Sequence, residues 1–162
     1  MTRIIGGIAG SRTLASPAKV TRPTSDRIRE SIFNRLEALN LINGSDVLDL
    51  YAGTGALGLE AASRGCRSVV LVEQHKQALG GIITNQRMVK TALQKEELDC
   101  DIRAEGKSVA SYLSTYSGMF DLVFIDPPYE ISNTEINENL TALTSHLNED
   151  AVIVLERSSR TP

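Results

Sequence analysis

An Asp-Pro-Pro-Tyr segment that follows an apolar, strand-like run is the most specific chemical signal in the chain. The exocyclic amine of a nucleobase is a poor nucleophile because its lone pair is delocalised into the ring, so its two N–H groups must be held. The carboxylate of Asp126 and the backbone carbonyl of Pro127 can accept these hydrogens. Pro127 and Pro128 fix φ and offer no competing N–H, and Tyr129 can stack on the base. We predict that these four residues are catalytic; the alternative is a rigid turn that ends a strand.

A glycine-rich loop forms the second candidate site. The strand-like run Val47 to Tyr51 leads directly into the sequence AGTGALG and then into a helical pattern. Glycine permits positive φ and close backbone approach, and the N–H groups of a first helical turn face the crevice at the strand's end. The GxGxxG spacing alone also fits NAD- and FAD-binding loops. We predict a cofactor loop, formed by Tyr51, Ala52, Gly53, Thr54 and Gly55.

Two acids narrow the choice of cofactor. Glu73 closes the next predicted strand, followed by Gln74, and is placed to accept hydrogen bonds from ribose hydroxyls. Asp49 lies inside the strand before the loop, where an acid suits the ammonium of S-adenosylmethionine and repels a dinucleotide pyrophosphate. The alternative for each acid is a buried carboxylate that caps the N–H groups of the loop. We predict S-adenosylmethionine as the cofactor, bound by Asp49, Glu73 and Gln74 in addition to the loop.

The elements that must position these residues follow an α/β pattern. From Leu41 onward, apolar runs of strand length alternate with segments of helical period, as in βα units around a parallel sheet. The predicted strands are Val47–Tyr51, Val69–Glu73, Cys100–Arg103, Asp121–Asp126 and Ala151–Glu156. The predicted helices include Gly55–Arg64, His75–Gln94, weakened or bent at Gly80 and Gly81, and Asn133–Leu147.

The first forty residues differ from the rest of the chain. Residues 3–16 are rich in glycine and β-formers, which predicts a short hairpin or loop. A helix follows from Pro23, with Ile28, Ile32, Leu36 and Leu39 near 3.6-residue spacing and Phe33 beside them. This segment carries a net charge of +4, whereas the remainder carries −7. A basic arm on an acidic body indicates a docking surface for a polyanion, and a solvated, charge-mixed helix is the alternative.

Composition bounds the remaining possibilities. The chain has 162 residues, of which 41% are hydrophobic, so we expect one domain over residues 1–162. Its apolar runs are too short to cross a bilayer, which favours a soluble, intracellular protein without a membrane partner. Cys66, Cys100, His75 and His146 form no cluster of metal-ligand spacing, so we expect neither a metal site nor a disulfide.

The chain resembles the RsmD-like 16S ribosomal RNA guanine-N2 methyltransferases over nearly its entire length. The resemblance rests on four motifs: RIIGG at residues 3–7, RPTSDRIRESIFN at 22–34, LDLYAGTGALGLEAASRG at 48–65 and FIDPPY at 124–129. It implies a Rossmann-like class I methyltransferase sheet, S-adenosylmethionine as donor and ribosomal RNA as substrate, within an assembling small subunit. It also implies a cytoplasmic bacterial protein, which we expect to be a monomer. The arginines that it places against RNA are Arg3, Arg12, Arg22, Arg27 and Arg29.

The chain departs from the family pattern in two places. Family members usually contact adenine through an acid or amide after the third strand, where this chain has Glu105-Gly106-Lys107-Ser108, and Ser108 is the candidate for that contact. The family's sheet normally continues into a closing hairpin, so with Pro162 soon after the fifth strand we expect the last two strands to be missing and an edge left open.

Three other functions are compatible with the sequence. The DPPY motif alone also fits adenine N6 or cytosine N4 methylation, of RNA or DNA. An NAD-dependent oxidoreductase explains the glycine loop but leaves DPPY without a role. A non-catalytic RNA-binding module explains only the basic arm.

Overall fold

The structure, a computed structural model, describes residues 3–14, 26–116 and 118–156. Its strands are β1 (Asp46–Leu50), β2 (Ser68–Val72), β3 (Asp101–Glu105), β4 (Phe120–Ile125) and β5 (Leu147–Leu155). Within the described residues they form one parallel sheet in the order β3-β2-β1-β4-β5. This is the strand order of a doubly wound sheet, so the predicted Rossmann-like α/β class is confirmed.

Helices connect the strands and cover both faces of the sheet. They are α1 (Asp26–Ala38), α2 (Ala56–Ser63), α3 (Lys76–Lys95), α4 (Val109–Thr115) and α5 (Asn133–Leu143), which ends in a short 3-10 turn (Thr144–His146). Helix α3 continues through Gly80 and Gly81, where the sequence predicts a weakened or bent helix. Its buried residues, among them Ile82 and Val89, pack against the sheet, and this packing outweighs the low helix propensity of glycine.

The core divides into two layers because successive strand residues point to opposite faces. Val47, Leu71 and Phe124 pack with residues of α1, α2 and α3. Leu48, Val72 and other alternate strand residues pack with residues of α4 and α5. Strands buried on both faces read as continuous apolar runs, which is why β1, β2 and β4 were predicted to within one residue at each end.

Two boundaries differ from the predictions. β5 begins at Leu147, which the apolar stripe of α5 had assigned to the helix, because Leu147 pairs with Phe120 of β4 across a register shift. In α1, Phe33 and Leu36 are buried, but Ile28 is 48% exposed, and Leu39, directly after the helix, is 58% exposed. The buried face of α1 is therefore rotated from the predicted one, and Arg29 occupies part of it.

The N-terminal segment forms the expected hairpin-like loop. Arg3 pairs with Thr13 in an antiparallel bridge, and the Ile4 N–H donates to the Arg12 carbonyl at 2.8 Å.

At the opposite end of the sheet from the strand C-termini, the thiols of Cys66 and Cys100 are 3.8 Å apart, a proximity that the sequence spacing does not indicate. No helix within the described ranges is long and apolar enough to cross a membrane.

Candidate active site

The topology of the sheet brings the predicted site residues to one edge. Leu50 of β1 pairs with Ile125 of β4 on one side and with Val72 of β2 on the other. The residues that follow these three, Tyr51, Asp126 and Glu73, therefore leave neighbouring strands side by side. The order of the strands reverses between β1 and β4, and in open α/β sheets ligands bind in the crevice outside the strand C-termini at this point.

The loop after β1 is built from left-handed backbone. Tyr51, Gly53 and Gly55 have φ angles of +59°, +61° and +83°. Glycine adopts these angles without cost, whereas for tyrosine the conformation is uncommon. The Gly55 N–H donates to the Ala52 carbonyl at 2.8 Å, which closes a tight turn directly before α2. The crevice is thus lined by backbone and the first turn of a helix, as the sequence predicted.

Asp49 lies beneath this loop and is 1% exposed. Its Oδ2 accepts the Gly58 N–H at 2.9 Å, and a Cβ at Gly58 would lie 3.1 Å from that oxygen and 2.5 Å from Leu71. Burial raises the pKa of Asp49 well above its usual value; the Gly58 N–H opposes the shift, and the charges of Asp126 and Glu73 add to it. Asp49 therefore caps α2, and it also belongs to a group of three acids around the crevice.

Glu73 is 8% exposed and binds the loop directly. Its Oε1 accepts the Gly53 N–H at 2.8 Å, and its Oε2 accepts the His75 N–H at 3.0 Å. The capping alternative for this acid is therefore confirmed, and its binding of ribose stays a prediction. Each carboxylate oxygen has a second lone pair, so these bonds leave room for ribose hydroxyls.

The DPPY segment begins where β4 ends. Pro127 is buried, Asp126 and Pro128 are half-buried, and Tyr129 is 57% exposed. The Pro128 carbonyl accepts the Ile131 N–H at 3.2 Å, which makes the segment a compact turn before α5. An exposed aromatic ring directly after β4 can stack on a flat ligand.

A polar contact that the sequence did not reveal connects the two loops. The Tyr51 hydroxyl donates to Glu135 Oε2 at 2.9 Å and accepts from Asn139 Nδ2 at 2.6 Å. Glu135 and Asn139 lie on α5, one turn apart, immediately after the DPPY turn. Their spacing of four residues was the available signal, since it places both side chains on one helix face.

The remaining predicted cofactor residues also follow the C-terminal ends of β1, β2 and β3. The Ala52 N–H donates to the Val72 carbonyl at 3.0 Å, and the Thr54 carbonyl accepts from buried Asn85 at 2.9 Å. Gln74 is exposed beside Glu73. The Ser108 hydroxyl accepts the Ser111 N–H at 3.1 Å and so caps α4, while its contact with adenine stays a prediction.

The predicted RNA-facing arginines separate into different environments. Arg27 is exposed, and Arg3 is 49% exposed with its Nε 2.9 Å from Asp26. Arg12 is half-buried and donates to the Ile8 carbonyl at 3.2 Å. Arg22 lies outside the described residues.

The prediction that Arg29 contacts RNA is wrong. Its side chain is 0% exposed, and its Nη2 donates to Asp26 Oδ1 at 2.9 Å and also to the Arg3 carbonyl. Its Nε lies 3.9 Å from the buried Glu60 carboxylate. A guanidinium that is buried and paired with acids holds elements together and is not available to phosphate.

Comparisons with known proteins agree with this geometry. The family model described as conserved hypothetical protein 95 matches residues 2–162. Ribosomal RNA small subunit methyltransferase D of Escherichia coli K12 is 34% identical over 95% of this chain and 73% of its own length. The putative rRNA methyltransferase YlbH of Bacillus subtilis is 31% identical over 95% and 81%.

A solved structure, the putative methyltransferase yhhF from Escherichia coli, superposes with a TM-score of 0.80 at 30% identity, covering 96% of this chain and 80% of that one. The fold, the sequence identity and the extent of the match agree, and the resemblance found in the motifs is confirmed. The chain therefore belongs to the conserved hypothetical protein 95 family, which also includes ribosomal RNA small subunit methyltransferase D.

Proposed function

We propose that this protein transfers a methyl group from S-adenosylmethionine to the N2 amine of a guanine in 16S ribosomal RNA. One observation carries the proposal: the glycine loop after β1 and the DPPY turn after β4 meet at the point where the strand order reverses. The relatives named as ribosomal RNA methyltransferases support methyl transfer to ribosomal RNA. The choice of guanine N2 rests on the resemblance of the N-terminal motifs.

The crevice fits S-adenosylmethionine in the position of its residues and in charge. Glu73 follows β2 and is positioned for the ribose, and the loop from Tyr51 to Gly55 is positioned for the methionine end. The three acids Asp49, Glu73 and Asp126 lie close enough that the last two raise the pKa of the first. Clustered carboxylates favour a cationic ligand and disfavour the pyrophosphate of NAD. When bound, S-adenosylmethionine supplies an activated methyl group on a positively charged sulfur.

The catalytic residues act by positioning the target amine. The Asp126 carboxylate accepts one amine hydrogen and the Pro127 carbonyl accepts the other, so that the nitrogen lone pair turns out of conjugation. Tyr129 stacks on the face of the base and fixes its plane. Positive charge that develops on the nitrogen is stabilised by Asp126, which is already in place and therefore needs no reorganisation. The methylated nitrogen loses one hydrogen as a proton, which the Asp126 carboxylate would accept, and neutral S-adenosylhomocysteine would be the leaving group.

The target base must leave its stack to reach this turn. Enzymes that modify a base in structured nucleic acid extrude it into a pocket and hold it by stacking and by hydrogen bonds to its edge. The exposed ring of Tyr129 suits that role. Exposed arginines of the N-terminal region, Arg3 and Arg27, supply phosphate contacts. A ribosomal RNA substrate places the reaction in the bacterial cytoplasm, on RNA or on an assembling small subunit.

Product identification tests the proposal. Purified protein is incubated with labelled S-adenosylmethionine and with unmodified 16S RNA, small ribosomal subunits, 23S RNA or DNA, and the products are digested to nucleosides for mass spectrometry. We expect N2-methylguanosine from 16S RNA or small subunits. N6-methyladenosine or N4-methylcytidine would reassign the base. Calorimetric binding of NADH in preference to S-adenosylhomocysteine would replace the proposal with an oxidoreductase, and RNA binding without cofactor affinity would indicate a non-catalytic module.

A further inference from the structure

Helix α2 connects the cofactor loop to the N-terminal segment. Its first turn follows Gly55, and its last turns contact residues 3–14 through a buried acid, Glu60. The Glu60 carboxylate accepts the Ile5 N–H at 2.8 Å and the Gly6 N–H at 2.9 Å. It also pairs with Arg64 Nε at 2.7 Å. The charged group therefore holds the backbone of the RIIGG motif against α2.

Ser63, one turn further along α2, makes the second part of this contact. Its hydroxyl accepts the Ala9 N–H at 2.8 Å and donates to the Gly6 carbonyl at 2.6 Å. Its carbonyl accepts the Ile8 N–H at 2.8 Å. Gly7 has φ +73°, and a Cβ there would lie 1.9 Å from the Ser63 carbonyl oxygen. The glycine of the motif is required because two backbones touch at this point.

Two separate segments of the chain contribute exposed cationic side chains near this contact. Arg3 of the first segment pairs with Asp26 at the start of α1, and exposed Arg27 follows Asp26 directly. Buried Arg29 ties the segments together, since it donates to the Arg3 carbonyl and lies 3.9 Å from Glu60. The same buried acid thus supports both segments that carry exposed arginines.

We propose that Glu60 and Ser63 are positioning residues for RNA binding. They dock residues 3–14 on α2, and so hold the exposed arginines Arg3 and Arg27 in a fixed position relative to the cofactor loop at the start of that helix. The inference rests on the proposed function, in that the polyanion is the RNA substrate. When residues 3–14 are docked on α2, they bind phosphate with little further loss of conformational freedom. When they are undocked, that freedom is lost on binding and affinity falls. Undocking therefore weakens RNA binding and leaves the cofactor site intact.

Variants on either side of the contact test this role. Ser63→Ala removes the two side-chain hydrogen bonds without disturbing buried charge, Gly7→Ala acts from the arm, and Glu60→Gln removes the central charge. We expect the RNA KM to rise about fivefold in Ser63→Ala and about tenfold or more in the other two. The single-turnover rate at saturating RNA and the KM for S-adenosylmethionine stay within twofold of wild type.

Ser45→Ala is the matched control, because Ser45 is also buried and donates to a backbone carbonyl, that of Ile42 at 2.7 Å, away from the arm. It should leave the RNA KM unchanged. An unchanged RNA KM in both Ser63→Ala and Gly7→Ala overturns the inference, as does an equal loss of affinity in Ser45→Ala. If wild-type protein methylates no RNA, the proposed function fails separately, and filter binding of RNA to the same variants still decides whether the contact positions the arm.

Discussion

Glu73 Oε1 lies 2.8 Å from the N–H of Gly53, so the acid that follows β2 holds the glycine loop that follows β1. The two residues are twenty positions apart in sequence and lie directly after adjacent strands. One carboxylate thus fixes the shape of the loop and offers its remaining lone pairs to the crevice. Structural and ligand-binding roles coincide in this side chain, and variants of Glu73 should separate them.

Replacing Glu73 should weaken cofactor binding in two steps. Glu73→Gln keeps an oxygen acceptor but loses the charge, whereas Glu73→Ala also frees the loop. Charge-assisted hydrogen bonds contribute about 1.5–3 kcal/mol each, so we expect affinity for S-adenosylmethionine to fall about tenfold in Glu73→Gln and further in Glu73→Ala. Calorimetric titration measures this, with exposed Gln77→Ala as control. Wild-type affinity in Glu73→Ala would remove this acid from the cofactor site.

The raised pKa of Asp49 predicts proton release when the cofactor binds. Burial raises this pKa, and a cationic ligand favours the ionised carboxylate, so binding expels a proton at pH values between the usual carboxyl range and the raised pKa. Affinity should rise with pH across that window, by at most about tenfold per unit, and level off above it. Calorimetry in buffers of different ionisation enthalpy counts the released protons. Asp49→Asn should abolish the release, and an identical pH dependence in that variant would contradict the assignment.

The raised pKa of Asp49 also makes the unfolding free energy depend on pH, in a direction that can be predicted. A carboxyl whose pKa is higher in the folded than in the unfolded state binds more protons when folded, so its contribution to stability is lost as pH rises through the window. Asp49→Asn should therefore flatten the fall in unfolding free energy over that range. Urea denaturation at several pH values provides the comparison.

Tyr112 offers a stability test at a residue outside the predicted site residues. Its side chain is fully buried, stacks on Tyr116 with centroids 4.8 Å apart, and its hydroxyl finds no hydrogen-bond partner among the described residues. Burial raises the pKa of this phenol. Since an unsatisfied buried hydroxyl costs about 1–3 kcal/mol, Tyr112→Phe should raise the unfolding free energy by about 1 kcal/mol. The Tyr116 hydroxyl accepts a hydrogen bond from exposed Arg103, so Tyr116→Phe should change the unfolding free energy by less than about 0.5 kcal/mol. A destabilised Tyr112→Phe protein contradicts this reading.

Local sequence patterns were sufficient for the central strands and for the edge of the sheet at which the candidate site residues lie. β1, β2 and β4 are buried on both faces, so their apolar runs are unambiguous, and the residues after them must meet at one edge in any parallel sheet. The family motifs were sufficient for the loop and the DPPY turn because each follows a strand directly.

Long-range pairing could not be predicted in the same way. Arginine usually lies on the surface, and only the fold shows that Asp26, the Arg3 carbonyl and Glu60 surround Arg29. The bond between Tyr51 and Glu135 spans 84 positions and depends on how α5 packs. The predicted buried face of α1 is wrong for a related reason, since buried Arg29 interrupts the apolar periodicity that defines such a face.

Asp126 should be needed for the chemical step and hardly needed for binding. In the proposed arrangement its carboxylate holds an amine that changes hybridisation in the transition state, whereas the cofactor is held by other loops and the RNA by the arm and Tyr129. Removing an interaction that forms mainly in the transition state lowers kcat and leaves ground-state affinity. We expect single-turnover methyl transfer to fall about 10²–10³-fold in Asp126→Ala, comparable to the loss of a preorganised electrostatic partner elsewhere.

The measurement uses labelled S-adenosylmethionine and a substrate whose target base is accessible, ideally a partly assembled small subunit. Asp126→Asn refines the result, because an amide can still accept one amine hydrogen but does not stabilise positive charge, so its rate should lie between those of Asp126→Ala and wild type. Asp99→Ala, an exposed acid before β3 at the other end of the sheet, is the control for net charge and should react at the wild-type rate. Affinities for S-adenosylhomocysteine and RNA, measured on each variant, should stay within about threefold, since that range is under 1 kcal/mol. A near-normal single-turnover rate in Asp126→Ala would reduce this residue to the acid of a rigid Pro-Pro turn, and the catalytic interpretation of the DPPY segment would fall with it.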